Sequence, residues 1–255
     1  MVLLLFVDLD PDLAALDALG GFFVLRTGAP PRDPLPTLAR AYADPEVDHP
    51  REVYGDPVIF RVRKVAQGLG VPESRIAVSV AQQALAARLW SVALGAAALY
   101  GRLPDLDPEL LHWDPDGSAP DDLWLSEVRA LPVGAIGTVV RDGHLGPLES
   151  ALRSRYRVSP GLLRGNAGSA LAGAWRQLDR WARDHHRTDV ADRARELAVG
   201  LLAEPGLAGT LDPRTLRRRS CCLYYRLPGG GLCGDCCFDR PPELPAGRRG
   251  TAPRS

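Results

Sequence analysis

All five cysteines of this 255-residue chain fall at one end, as Cys221, Cys222, Cys233, Cys236 and Cys237. Scattered cysteines read as small buried hydrophobes, whereas sulfurs gathered in one stretch read as assembled for one task. Three tasks fit: disulfides, a zinc site or an iron–sulfur cluster. Disulfides fit worst. The count is odd, no secretory signal is visible, and a chain this long can bury a core without staples. Neighbours such as Cys221 and Cys222 have Cα atoms only about 3.8 Å apart, below the usual range for a bridge. Zinc prefers two ligand pairs, each spaced like Cys233 and Cys236, and the doublet Cys221-Cys222 has no spacer. An iron–sulfur cluster takes four thiolates, and two irons spread the attachment points. Adjacent sulfurs can then serve different directions, so the spacing favours this reading.

The loop between the two cysteine groups holds Pro228, Gly229, Gly230 and Gly231, which let the backbone turn sharply and approach closely. Backbone N–H groups exposed there are available to sulfur, one lever on a reduction potential. This glycine run is not a nucleotide loop. No dinucleotide fingerprint follows a strand and opens a helix anywhere in the chain, and no Walker run is present. The formal net charge is zero, which argues against nucleic acid or another bulk polyanion as partner. Lys64 is the only lysine, and arginine carries nearly all the positive charge.

Before the cysteines the chain reads as α+β and predominantly helical, a helical body with a small β-sheet. The apolar opening, residues 1–7, lacks the basic flank and length of a signal peptide. A helix start is expected at Asp10 to Asp12, with Leu13, Leu16 and Leu19 facing inward, then a short strand from Phe22 to Arg26 and a Pro-rich loop. Thr37 is placed to cap a short helix over Leu38 to Ala43. Residues 44–57, including His49, are mixed. Helical periodicity starts at Val58 and ends at Gly68 and Gly70. Residues 75–100 read as two helices. The uncharged run from Leu89 to Gly101 is too short to span a bilayer and reads as a buried core helix.

Leu103 to Leu106 reads as a loop. Leu111 to Trp113 and Leu123 to Leu125 read as strands around a turn, and Val133 to Val140 as a further strand. Helices are expected over His144–Tyr156, Gly161–His185 and Asp189–Leu202. Pro213 to Arg219 forms a short helix or turn, and the tail from Pro241 has a disordered composition. The domain reading is therefore 1–60 mixed, 61–212 helical, 213–240 the cysteine segment and 241–255 tail.

The pattern Cys221-Cys222, ten residues, Cys233, two residues, Cys236 resembles the C-terminal signature of the FhuF-like ferric siderophore reductases. The likeness continues weakly back to about Arg61, through Ser74-Arg75, Gln82-Gln83, Arg88 to Trp90 and Leu163 to Leu171. Cys237, directly after the motif, departs from it. The resemblance implies a [2Fe–2S] cluster on Cys221, Cys222, Cys233 and Cys236. It also implies a siderophore-binding helical body and one-electron reduction of siderophore-bound Fe3+ with release of Fe2+. No catalytic residue beyond the cluster is needed for that step.

Trp113, Arg164 and Asn166 are candidate substrate contacts, with core packing and helix-end roles as the structural alternatives. His112 and Trp124 are weaker pocket candidates. His185 and His186, adjacent at a helix end, read as solvated, not as metal ligands. Arg217, Arg218 and Arg219 precede the doublet, where they either favour the reduced state of an anionic cluster or sit as a solvated basic run. Electrons must then come from a separate donor, a ferredoxin or a flavoprotein reductase. The expected location is cytoplasmic, with peripheral contact to the inner membrane allowed. The competing readings are a ferredoxin-like carrier with a helical docking domain and a zinc-stapled structural protein.

Overall fold

The uncharged run ending at Gly101 lies mostly in the core. In the computed structural model, which describes residues 13–30, 34–43 and 54–243, the elements are as follows. Helix α1 is Leu38–Tyr42, α2 Pro57–Leu69, α3 Ser74–Tyr100, α4 Gly146–Arg155, α5 Pro160–Asp184 and α6 Thr188–Ala203. The strands are β1 Arg26–Thr27, β2 Arg102–Pro104, β3 Leu111–Trp113, β4 Leu123–Leu125 and β5 Ala130–Pro132.

α3 is a single helix of 27 residues, not two. It contains no proline, and its one internal glycine, Gly95, does not break it. A Cβ there would lie 2.8 Å from the ring of Phe23, so the glycine makes room for that ring. From Leu89 to Ala98 every residue of α3 is buried, which is why the helix is apolar on all sides instead of along one stripe. α2, α5 and α6 pack around it, with α5 making the most extensive contact.

Local signals explain the helix ends. Asp56 accepts a hydrogen bond from the Ile59 N–H at 2.9 Å, and Pro57 occupies the first turn of α2, where its missing N–H costs nothing. Thr37 accepts from the Arg40 N–H at 3.2 Å and caps α1, as its position predicts. Gly70 and Gly101 close α2 and α3 in the left-handed region. Leu13, Leu16 and Leu19 are buried as expected.

β3 and β4 pair antiparallel, and β1 runs parallel to β4, in the order β1-β4-β3. The expected strand near Phe22 is reduced to Arg26–Thr27; Phe23, Val24 and Leu25 are buried without pairing. A second ribbon pairs β2 with β5 antiparallel, so residues 102–104 are a strand where the sequence reads as a loop. Val133 to Val140 is not a strand. It opens as a 3-10 turn and enters a π-helix, Thr138–Leu145. The buried residues Ile136 and Val140 are four apart, a helical spacing that the flanking glycines obscure.

One ion pair ties these layers together. Arg88 on α3, 1% exposed, meets Asp122 at 2.8 Å and also reaches the carbonyls of Gly21, Phe22 and Pro120. The opening residues 1–12, the segment around His49 and the tail beyond residue 243 lie outside the described residues. Among the described residues, no helix is long and apolar enough to cross a membrane.

Candidate metal centre

The cysteine segment folds as turns, without regular helix or strand beyond a 3-10 turn at Tyr224–Arg226. Cys222 and Cys236 are buried, and Cys221, Cys233 and Cys237 are half-buried; all five are free thiols. The Sγ atoms of Cys222 and Cys233 lie 3.4 Å apart. Two thiolates on one tetrahedral metal, with bonds of about 2.3 Å, lie about 3.7 Å apart. The contact therefore joins the two halves of the motif across the glycine loop, and does not follow the two-residue spacer between Cys233 and Cys236. Cys236 closes a turn by donating its N–H to the Cys233 carbonyl at 3.1 Å.

The glycine loop allows this closure. Gly229 has a φ of 69°, and a Cβ on Gly230 would lie 2.7 Å from the Tyr224 carbonyl. Both positions exclude a larger residue. N–H groups also reach sulfur directly. The Leu223 N–H donates to Cys221 Sγ at 3.2 Å and the Phe238 N–H to Cys236 Sγ at 3.5 Å. Both bonds stabilise negative charge on sulfur.

Electrostatics around the thiols are self-opposed. Burial pushes the Cys237 thiol up to about 11, and the nearby Cys221 and Cys236 push the same way. Burial, the Cys222 hydrogen bond and Asp235 raise Cys233 further still. Burial also raises Cys221, against the pull of the Leu223 N–H and, more weakly, of Arg218. Grouped thiols that resist ionisation individually become thiolates when a metal neutralises them together.

A polar bracket from the helical body holds the segment. Ser79 on α3 donates to the Cys222 carbonyl at 2.7 Å. Asn166 on α5 donates to both oxygens of Ser79 at 3.0 Å and accepts from Arg218. Arg218 also reaches Gln83, which donates to Ser169, and Ser169 donates to Asp235 at 2.6 Å. Arg218 donates its own backbone N–H to the Asp235 carbonyl. The bracket thus links Cys222 to Asp235, which stands between Cys233 and Cys236.

Small residues on α5 bring the segment this close. A Cβ on Gly165 would lie 2.0 Å from Ser220 Oγ, and one on Gly168 would lie 2.5 Å from Thr210 Oγ1. The small residues Gly165 and Gly168, inside the Leu163 to Leu171 stretch, therefore receive the chain that leads into the cysteines.

The other candidates are placed differently. Asn166 is fully buried and its side chain is used by the bracket. Trp113 is 5% exposed and lines a small, partly open pocket with Val58, Gln82 and Leu148. Arg164 is exposed and pairs with Glu149 of α4 at 3.2 Å. His112 contacts the Leu35 carbonyl, and Trp124 donates to the Asp121 carbonyl. His185 is exposed and stacks on Trp181. Of the three arginines, Arg217 pairs with Asp239 and Arg219 is exposed, whereas Arg218 is buried.

The sequence reading did not single out Ser79 or Ser169. The available signal was a serine in an otherwise apolar helix face, which needs a polar partner when buried.

Residues 218–238 match the family model of the FhuF 2Fe-2S C-terminal domain. The cysteine segment is a FhuF-type [2Fe–2S] domain. No curated protein matches the chain. The FhuF-type match begins at Arg218, the arginine that the bracket grips, and ends at Phe238, whose N–H meets Cys236.

The donor set fits the [2Fe–2S] group implied by that domain. Every candidate ligand is a thiol, the donor type that iron–sulfur clusters take. Among the described residues no three His, Cys, Asp or Glu side chains form a preformed single-metal site. Two buried polar atoms of the FhuF-type segment, Arg218 Nε and Ser220 Oγ, lack a hydrogen-bond partner within the protein. Ser220 Oγ packs against Gly165 of α5, whereas the Arg218 guanidinium acts on Cys221, and an unsatisfied cationic donor near the thiols suits an anionic guest.

Proposed function

We propose that the protein is a ferric siderophore reductase. It passes one electron to siderophore-bound Fe3+ and releases Fe2+ for iron assimilation. The observation that carries this reading is the FhuF-type segment seated by a buried polar bracket on a helical body far larger than an electron carrier requires. In the domain reading, residues 61–212 bind the ferric complex and 213–240 hold the cluster on Cys221, Cys222, Cys233 and Cys236.

When bound, the cluster supplies a single electron at low potential. The Leu223 and Phe238 N–H groups stabilise charge on Cys221 and Cys236. Ser79 and Asn166 fix the Cys222 backbone. The ferric complex holds its metal through hard oxygen donors, and reduction lowers the metal charge and weakens those bonds. No proton donor or nucleophile is required. Arg164, the exposed member of the three proposed substrate contacts, would meet an oxygen-rich ligand at its rim by exchanging its pairing with Glu149. A separate ferredoxin or flavoprotein reductase in the cytoplasm replenishes the electron.

The test mixes dithionite-reduced, desalted protein with ferric hydroxamate and catecholate complexes in the presence of an Fe2+ chelator. Rapid loss of the reduced signal with Fe2+ capture is expected for at least one complex. A centre that stays reduced with all of them would leave a carrier and remove the reductase reading.

A further inference from the structure

We infer that Arg218 is the internal counter-charge of the cysteine segment and raises the reduction potential of the cluster held there. The inference rests on the [2Fe–2S] reading of the segment and not on the identity of its electron acceptor.

Two arginines are buried in the described residues, and they differ in what surrounds them. Arg88, 1% exposed, has the Asp122 carboxylate at 2.8 Å and three backbone carbonyls. Arg218, 2% exposed, has only neutral acceptors, Asn166 Oδ1 and Gln83 Oε1, and its Nε has no partner at all. The buried Asp235 carboxylate, at the far end of the same bracket, accepts from Ser169 and is separated from the guanidinium by Gln83 and Ser169, with no direct ion pair between them. A guanidinium cannot shed its proton, and burying one without an opposite charge costs several kcal/mol. Such a charge is retained where an anion faces it.

The anion on offer is the cluster. Arg218 stands three residues before Cys221 and opens the FhuF-type segment. Four thiolates around two irons and two sulfides are anionic when oxidised and gain a further negative charge on reduction. A fixed buried cation attracts the reduced form more than the oxidised form, and does so weakly screened by water. Arg217 and Arg219 are placed differently. The first donates to the Cys236 carbonyl at 2.9 Å, but its guanidinium is half-exposed and paired with Asp239 at 2.7 Å, and the second is exposed to solvent, so water screens both.

Potentiometric titration of the purified holoprotein, followed by visible absorption and electron paramagnetic resonance, tests this without any siderophore. Arg218→Gln should shift the reduction equilibrium toward the oxidised form by about tenfold, equivalent to about 59 mV for one electron. Arg218→Lys keeps the charge and should stay within about threefold of the parent. Arg219→Gln should move it by less than about twofold. A merely structural role would move the lysine and glutamine variants alike.

If Arg218→Gln does not retain the cluster, Asn166→Asp serves instead. It places a carboxylate against the guanidinium and should lower the potential in the same direction. The proposal is overturned if the retained variant has the parental potential, or if Arg218→Lys falls as far as Arg218→Gln. A parent protein with no reducible centre would overturn the cluster reading itself, a distinguishable result.

Discussion

Cys222 Sγ and Cys233 Sγ touch at 3.4 Å across a ten-residue loop, while Cys237 lies beside Cys221 and Cys236. The contact bridges the doublet and the second cysteine group, so loss of either sulfur should open the motif. Cys222→Ser should remove or strongly shift the visible absorption of the reconstituted protein. Cys237→Ser should keep it, since Cys236 is the buried member of that pair and takes the Phe238 N–H. Iron and sulfide analysis alongside the spectra checks both. A colourless Cys237→Ser protein with a coloured Cys236→Ser protein would move the fourth ligand by one residue.

Gly165→Ala should loosen the seat of the segment. The added Cβ would lie 2.0 Å from Ser220 Oγ, and overpacking of this kind costs about 1–3 kcal/mol. The expected result is a lower thermal midpoint and reduced iron occupancy together. Gly173→Ala, on the same helix with open space around it, should leave both unchanged or raise the midpoint slightly.

Stability should fall with acid because of His144. This ring is fully buried, with Tyr42 at 3.0 Å on Nδ1 and the Leu106 carbonyl on Nε2. Burial lowers its pKa from 6.5 to about 4. Between those values the unfolded chain binds the proton and the folded chain does not, so protonation favours unfolding. The contribution is complete above pH 6.5 and is lost as pH falls toward 4. It amounts to roughly 3 kcal/mol. Urea unfolding at stepped pH should show this slope in the parent and a shallower one in His144→Gln.

Breaking the Arg88–Asp122 pair should be among the costliest single changes. Arg88→Met leaves Asp122, 6% exposed, without its cation, and such losses cost about 3–5 kcal/mol. Arg88→Met with Asp122→Asn should recover part of that loss. Chemical denaturation of the three proteins measures the coupling. Equal stability of the single and double variants would show that Asp122 finds another partner.

The legible features were local ones. The doublet, the spacer and the glycine loop identified a sulfur site because cluster chemistry demands thiolates at short spacing. Helical periodicity placed α2, α5 and α6 to within a residue or two, because amphipathic stripes and caps act over a single turn. The division of α3 failed for the complementary reason. A helix buried on every side carries no stripe, so nothing in residues 75–100 marked its continuity.

Within the site, composition and spacing determined which atoms could ligate, and long-range packing decided how they meet. Three adjacent arginines are equivalent in sequence. Only the fold buries Arg218 between α3 and α5 and leaves Arg219 in water. Ser79 meets the Cys222 carbonyl across 143 positions of chain, a partnership that no local pattern encodes. The spacer keeps Cys233 and Cys236 on one turn, and loop closure also brings Cys233 to Cys222. Covalent spacing limits which sulfurs can approach, and the tertiary fold selects among the approaches it allows.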